Sequence, residues 1–263
     1  MYSPKDHTFV VCAYGESEYL EACVGSLLEQ SISTNVLFAT STPNALIEEQ
    51  AERCGSPVCV NAGETGIAGD WNFAVSCVET PLVTIAHQDD VYSECYAEWM
   101  LEKIGDAVRP LVYFSDYGEL RDGVRVDSSE LSRAKRLLLK PCKSQALQSS
   151  FFIKSRVLSL GNPICCPAVT YVLDNLEQPL FHSDFKSNLD WDAWDRFSRL
   201  EGSFVFDDRI GMYHRVHPGS ETSACIVDEV RTKEDLAMLE RFWPAPIAHL
   251  INRAYSGAQQ YNC

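Results

Sequence analysis

Leu82-Val83-Thr84-Ile85-Ala86-His87-Gln88-Asp89-Asp90 is an apolar run that ends in two adjacent acids. Residues 82–86 read as a buried strand, and an open α/β sheet places its ligands at the carboxyl ends of such strands. Adjacent carboxylates repel one another unless a cation or solvent relieves them. Their oxygens suit Mg²⁺ or Mn²⁺, ions that keep several waters and complete their shells with substrate phosphates. The competing reading of Asp89 and Asp90 is an Asx turn that opens the following helix.

Working outward, the same unit repeats. Residues 8–13 are apolar, and Tyr19, Leu20, Cys23, Val24, Leu27 and Leu28 recur at the spacing of an amphipathic helix. Val36-Leu37-Phe38-Ala39 is the next strand, and Thr42-Pro43 supplies an N-cap and first-turn proline for a helix ending near Gly55. Strand 57–60, helix 67–79 and strand 82–86 follow. This βαβ series predicts an α/β fold, a mostly parallel sheet with helices on both faces. Tyr96, Trp99, Met100 and Ile104 continue it as a helix, and Leu111-Val112-Tyr113-Phe114 as a strand. Residues 116–145 are charged and irregular, with Arg121-Asp122-Gly123 as a turn. Arg133, Lys135, Arg136 and Lys140 form a basic cluster, either a solvated helix face or a contact for a phosphate-bearing substrate. Order returns over 147–154, and 168–173 reads as a strand.

The 263 residues, 46% of them hydrophobic, can fill one large core, and no repeat or linker divides them. No apolar stretch approaches the roughly 18 residues of a membrane span, and Met1 to His7 lack a signal-peptide pattern, so a cytoplasmic location is the default. The 11 cysteines fall mostly within apolar runs and contain no CxxC pair, which favours reduced core thiols over a disulfide framework or zinc site. A formal charge of −15 argues against nucleic acid as a partner and against electrostatic docking on anionic lipid.

The first βα turn, Ala13-Tyr14-Gly15-Glu16, lacks GxGxxG, and no P-loop is present, which disfavours a Rossmann dehydrogenase and a P-loop NTPase. Tyr14 could offer its π-face to a nucleobase, and Thr40, Ser41 and Thr42 their hydroxyls to its edge. Packing and helix capping are the competing readings. Asp190 opens Asp-Trp-Asp-Ala-Trp-Asp-Arg-Phe, whose Trp191, Trp194, Phe197 and Leu200 recur at helical spacing. Asp190 is therefore read as an N-cap, its pKa lowered by the helix N-terminus and its carboxylate available as a base. The tryptophans read as core in preference to a sugar platform. His214, Arg215 and His217 precede the loop Pro218-Gly219-Ser220-Glu221-Thr222-Ser223, which could close on a diphosphate.

The order and spacing of these pieces resemble the GT-A glycosyltransferases of the family-2 type, from about Phe9 to about Ser223. The resemblance rests on Ala13-Tyr14-x-Glu16, the Gly66 to Asn72 segment, the acid motif at Asp89, the Asp190-Trp191-Asp192-x-Trp194 helix start and the Arg215-x-His217 closing loop. It implies a GT-A, Rossmann-like single domain over 1–263. About 1–115 would be the nucleotide-binding half, about 116–225 the acceptor-binding and catalytic half, and 226–263 a helical tail. By position it implies donor contacts from Ala13, Tyr14, Glu16, Thr40, Asp70, Asn72, Gln88, Asp90 and Arg215. Asp89 and His217 would hold a divalent cation, Mn²⁺ or Mg²⁺, and Asp190 would be the catalytic base. The chain departs from the family pattern where Thr40 replaces an aspartate, Trp71 an arginine, and His87 the first acid of the metal triplet.

The implied reaction moves a sugar from a nucleotide diphosphate donor, a UDP-sugar by preference, to a carbohydrate or glycolipid acceptor hydroxyl with inversion. Two other classes stay open: a catalytically silent nucleotide-sugar or glycan-binding domain, and a metal-dependent nucleotidyltransferase. In the tail, Phe242, Trp243, Ile247, Leu250 and Ile251 predict packing onto the sheet, with a homodimer contact or shallow membrane attachment as alternatives.

Overall fold

Strand and helix alternate through the first third of the chain as the pattern requires: β1 (His7–Ala13), α1 (Leu20–Leu28), β2 (Asn35–Thr40), α2 (Ala45–Cys54), β3 (Val58–Val60), α3 (Ile67–Ser76) and β4 (Leu82–His87). The structure, a computed structural model, describes residues 2–64, 66–182, 184–217 and 230–259. Strands β3, β2, β1 and β4 lie side by side and parallel. There follow β5 (Val91–Tyr92), α4 (Tyr96–Gly105), β6 (Pro110–Arg121), β7 (Val124–Val126), α5 (Glu130–Leu139), α6 (Phe151–Leu158), β8 (Val169–Val172), α7 (Leu189–Ser198) and β9 (Ser203–Val216). Two tail helices, α8 (Val230–Glu240) and α9 (Ala245–Gln259), complete the described chain.

The sheet continues from β4 through β8, β6 and β9 to β5. Here directions mix: β8 is antiparallel to β4 and β6, β9 is parallel to β6, and β5 is antiparallel to β9. The Arg121-Asp122-Gly123 turn forms as expected, with φ of +49° at Asp122 and +79° at Gly123, and folds β7 back onto β6. The apolar runs 204–206 and 210–213 belong to one strand, β9, whose register against β6 shifts around Asp207.

Side chains alternate across the sheet with the strand period of two. Val10, Ile85, Phe114 and Phe204 face α3, α6, α7 and the tail, whereas Phe9, Val11, Tyr113 and Val205 face α1, α2 and α4. Helices therefore cover both faces. Trp191 and Trp194 on α7 are fully buried, Trp194 stacked on Tyr171 at 5.7 Å and Trp191 donating Nε1–H to the Leu158 carbonyl at 3.1 Å. They are core, as expected. The tail packs on this layer: Met238, Leu239 and Ala248 are buried in the same cluster, and Trp243 donates Nε1–H to the Ser159 carbonyl at 2.6 Å. No described helix is long and apolar enough to cross a membrane. All nine cysteines described are free thiols.

Two helix starts differ from the expectation. Asn44, not Thr42, caps α2, accepting the Ile47 N–H at 3.1 Å, because Thr42 is drawn off to accept the Gly15 N–H at 2.7 Å. Asn188, not Asp190, is the N-cap of α7, which places Asp190 inside the first turn.

A buried polar chain ties β1, β4, β8 and α4 together. His7 Nε2 meets Thr84 Oγ1 at 2.9 Å, Thr84 meets Thr170 Oγ1 at 2.6 Å, and the Tyr96 hydroxyl reaches Thr170 at 3.0 Å. Burial pushes the His7 pKa down to about 3, so the ring is neutral in the folded protein. The unfolded chain therefore binds more protons than the folded one between pH 6.5 and about 3, and stability falls as pH falls through that window. His7→Gln, which can still bond Thr84 but does not titrate, should flatten this acid-side loss. Urea unfolding midpoints of the two proteins at pH 7 and pH 4 check it.

Candidate active site

The carboxyl ends of β1, β2 and β4 lie side by side and are joined by polar bridges. Gln88 clamps Tyr14 reciprocally: the Tyr14 N–H donates to Gln88 Oε1 at 2.9 Å, and Gln88 Nε2 donates to the Tyr14 carbonyl at 3.0 Å. The Tyr14 ring is left 66% exposed on a fixed backbone, beside Gly15 at φ +61°, a turn conformation that glycine adopts without strain. Glu16 is exposed beyond the turn, and Ala13 is packed beneath it in the core. Asp70 on α3 accepts from Asn61 Nδ2 at 2.8 Å and from the Ser41 hydroxyl at 3.3 Å, joining the ends of β2 and β3.

Two residues expected to touch a donor are committed elsewhere. Thr40 is buried and its hydroxyl accepts the Thr42 N–H at 3.0 Å. Asn72 pairs with the Phe181 backbone, donating to its carbonyl at 2.8 Å and accepting its N–H at 3.0 Å. Both serve the frame of these strand ends, because each polar group is spent on backbone.

The paired acids divide their roles. Asp90 is fully buried, and its Oδ1 accepts both His214 Nδ1 at 3.0 Å and the Arg215 N–H at 2.8 Å. It is thus a brace for the end of β9 rather than a donor contact. Asp89 is 22% exposed at its side chain, and Oδ2 meets His217 Nε2 at 3.0 Å. Arg215 donates Nε–H to the Asp89 carbonyl at 2.7 Å. Burial alone would raise the Asp89 pKa; His87, the His217 hydrogen bond and His214 outweigh it, holding the carboxyl below its ordinary 3.8. Tyr19 lies between two side chains at the end of β9 and just beyond it, 4.4 Å from the Arg215 guanidinium and 5.0 Å from the His217 ring. The loop 218–223, expected to be a closing segment, lies outside the described residues.

Trp71 and His87, two departures from the family pattern, stack on one another at 5.1 Å. Burial lowers the His87 pKa against the opposing pull of Asp90, Asp89 and Asp190.

Asp190 lies on α7, its Oδ1 accepting the N–H of Trp191 at 2.8 Å and its Oδ2 the Asn162 amide at 2.7 Å. Burial raises its pKa above 3.8, opposed by the Trp191 N–H, Arg231, Asn162 and Lys135. This corrects the lowered pKa expected of a helix cap: desolvation outweighs the helix N-terminus. A carboxylate so raised is a stronger base at neutral pH.

The glycosyl transferase family 2 model matches residues 8–168, from the first strand through the Asp89-Asp90 pair to the turn before β8. The chain belongs to glycosyl transferase family 2. A search of curated proteins finds no match to the sequence. Among solved structures, the S. aureus TarS fragment 1–349 with UDP-GlcNAc superposes with a TM-score of 0.57 at 15% identity, covering 94% of this chain and 70% of that one. Mycobacterium tuberculosis glucosyl-3-phosphoglycerate synthase, with Mn²⁺, UDP-glucose and phosphoglyceric acid, gives 0.61 at 14% identity over 89% and 79%. The mannosyltransferase PcManGT from Pyrobaculum calidifontis, with GDP-mannose and Mn²⁺, gives 0.64 at 12% over 97% and 71%. The chain spans 42% of the longer TarS chain. At these identities the likeness establishes the shared GT-A fold.

Several site residues carry no signal in the sequence. Tyr19 reads there as one more apolar position of an amphipathic helix, and Asn162 and Arg231 belong to none of the motifs.

The His214 pKa shows the Asp90 brace at work. Burial lowers it, but the charge and hydrogen bond of Asp90, with Asp89, raise it above 6.5. A raised histidine contributes stability that is fully present below pH 6.5 and lost as pH rises through the folded pKa. Asp90→Asn should drop the His214 pKa below 6.5 and cost about 1–3 kcal/mol, the range for disrupting a buried hydrogen-bonding group. Imidazole titration by NMR and chemical denaturation read the two effects.

Proposed function

We propose that this chain transfers a sugar, with inversion, from a nucleoside diphosphate donor to an acceptor hydroxyl, with Asp190 as general base and a divalent cation at Asp89. The observation that carries the reading is the Asp89–His217 pair at the carboxyl end of β4, 3.0 Å apart with Arg215 bonded to the Asp89 carbonyl, and Asp190 is among the charges acting on the neighbouring His87. The parallel strands β3-β2-β1-β4 form the nucleotide side, and the later half carries the acceptor side and the base.

A donor enters with its base against the exposed face of Tyr14, which the Gln88 clamp keeps in place. UDP-sugars are the preferred donors: TarS and the mycobacterial synthase bind uridine nucleotides, whereas PcManGT binds GDP-mannose. A carbohydrate or glycolipid hydroxyl is the acceptor. Asp89 and His217 offer one carboxylate and one imidazole, a donor set that fits Mn²⁺ with phosphate oxygens and water completing the shell. No three His, Cys, Asp or Glu side chains form a metal cage among the described residues, so a cation here would take its remaining ligands from phosphate oxygens and water. When bound, the cation supplies charge neutralisation for the leaving diphosphate. Arg215, fixed through Nε on the Asp89 carbonyl, adds further N–H donors for the phosphates. The acceptor oxygen attacks the anomeric carbon opposite the leaving group, its proton passes to Asp190, and the carbon–oxygen bond to the diphosphate breaks.

Cation and nucleotide binding should be coupled. Titration calorimetry with UDP should show tighter binding with Mn²⁺ than without, and Asp89→Ala should abolish the difference; equal affinity under all four conditions contradicts the cation assignment.

The base is tested by Asp190→Asn, which keeps an acceptor for the Trp191 N–H. Turnover should fall on the order of 10²–10⁴-fold, the usual contribution of a positioned base, with UDP binding retained. Near-normal transfer by the folded variant would instead favour a different base, and absence of turnover in the wild-type protein with retained UDP binding would favour a silent nucleotide-sugar domain. The wild-type rate should also fall on the acid side at a pH above 3.8, because the Asp190 pKa is raised.

A further inference from the structure

Helix α7 begins without the cap that its own sequence could supply. Asn188 stands at the N-cap but makes no side-chain capping bond, because its Nδ2 donates to Asp235 Oδ1 at 2.8 Å. The preceding backbone is held from elsewhere in the chain. The consecutive N–H groups of Lys186, Ser187 and Asn188 all donate to the carboxylate of Glu234, at 2.8, 2.8 and 3.0 Å. Bonds from several amides to one ionised carboxylate are short, directional and stronger than neutral ones.

Glu234 belongs to α8, and the spacing of that helix explains how it reaches α7. Arg231, Glu234, Asp235 and Met238 fall at i, i+3, i+4 and i+7, one face of a helix. Met238 is buried in the core, Asp235 holds Asn188, and Arg231 is among the charges acting on Asp190. Anchoring of α8 does not depend on Glu234. Leu239 is buried, and Arg241 binds Asp192 and Asp195 on α7 at 2.7 and 3.3 Å. What Glu234 specifies is the conformation of 186–188, two residues before Asp190.

We propose that Glu234 is a positioning residue for Asp190: its grip on the three amides fixes where α7 starts and so where the base carboxylate stands. The proposal rests on the reading of Asp190 as the base. A displacement of about 1 Å in a catalytic group can cost on the order of 10²-fold in rate, so the effect belongs in kcat. Tyr14, Gln88, Asp89 and Arg215, the candidate donor contacts, are on other elements, so donor KM stays.

The test is the release of nucleoside diphosphate from UDP-glucose, UDP-N-acetylglucosamine and GDP-mannose with Mn²⁺, water serving as acceptor. Glu234→Ala should lower kcat about 10–100-fold with donor KM within about twofold, and Glu234→Gln, retaining one acceptor oxygen, should recover part of the loss. In an Asp190→Asn background Glu234→Ala should change kcat by less than about twofold, because the residue acts through the base. A folded Glu234→Ala protein with unchanged kcat, or a loss that multiplies with that of Asp190→Asn, overturns the proposal. Should the alanine variant fail to fold, Glu234→Asp takes its place: it keeps the charge with a shorter reach, and unchanged kcat in that variant overturns the proposal equally. A large loss in Asp190→Asn beside no loss in the Glu234 variants refutes the positioning role alone, whereas an active Asp190→Asn refutes the base and this role together.

Discussion

Asp90 is a carboxyl group buried completely in a protein, and such a polar group persists only where hydrogen bonds replace the water it has lost. Its Oδ1 takes two, from the His214 ring and the Arg215 amide, both on β9. The consequence is geometric. The far end of a 14-residue strand is pinned to a turn after β4, 125 residues earlier in the chain, and Arg215 and His217 are thereby delivered to Asp89. The other oxygen of Asp90 has no hydrogen-bond partner among the described residues and lies 4.0 Å from His87 Nδ1. That position is where the family pattern has an acid. A carboxylate at 87 would stand against Asp90, and like charges at such range raise one another's pKa, whereas a neutral imidazole does not. Histidine at 87 thus suits a site in which the second acid of the pair has become structural.

Much of this arrangement is legible in the sequence because it depends on local rules. Strand runs bounded by glycine and acid residues, and helices with apolar residues at three-to-four spacing, define the βαβ half by pattern alone. The length of β6 is hidden by its polar second half, Ser115 to Arg121, which pairs with β9 and is covered on both sides. The two displaced helix starts share one physical reason. Capping propensity is a property of a residue, but the hydroxyl of Thr42 and the carboxylate of Asp190 are claimed by partners from elsewhere, Gly15 for the one and Asn162 for the other. Long-range competition of that kind has no signature at short range. The same holds for the Asp190 pKa: helix position argues for lowering, and tertiary burial overrules it.

The two carboxylates of interest are tuned in opposite directions by their surroundings. Asp89 lies among histidines, which hold it ionised and suited to a cation. Asp190 is burdened by desolvation and partly relieved by an amide, an asparagine and distant cations, which leaves it a better proton acceptor. Two groups with one chemistry are thereby suited to the different roles proposed for them, ligand and base, through environment alone. The cysteines nearby, Cys12, Cys165 and Cys166, are pushed far above their ordinary values by burial, which keeps competing thiolates out of the site.

The overall charge of −15 bears on the proposed use of a cation. A nucleoside diphosphate approaching this protein brings two further phosphates into an acidic field, and the side chains at these strand ends offer little to receive them. Arg215 is shared with the Asp89 carbonyl and the Tyr19 ring, and Trp71 occupies the place where the family pattern has an arginine. The basic residues of α5 are largely committed as well, Arg136 to Asp116 at 2.5 Å and Lys135 to the Tyr117 hydroxyl at 2.9 Å. Electrostatic stabilisation of a leaving diphosphate counts most where water is excluded, and there it must come from charges already in place. With the arginine replaced by a tryptophan that stacks on His87, the proposed transfer would need positive charge from another source, and Asp89 and His217 would be the residues to hold a cation that supplies it.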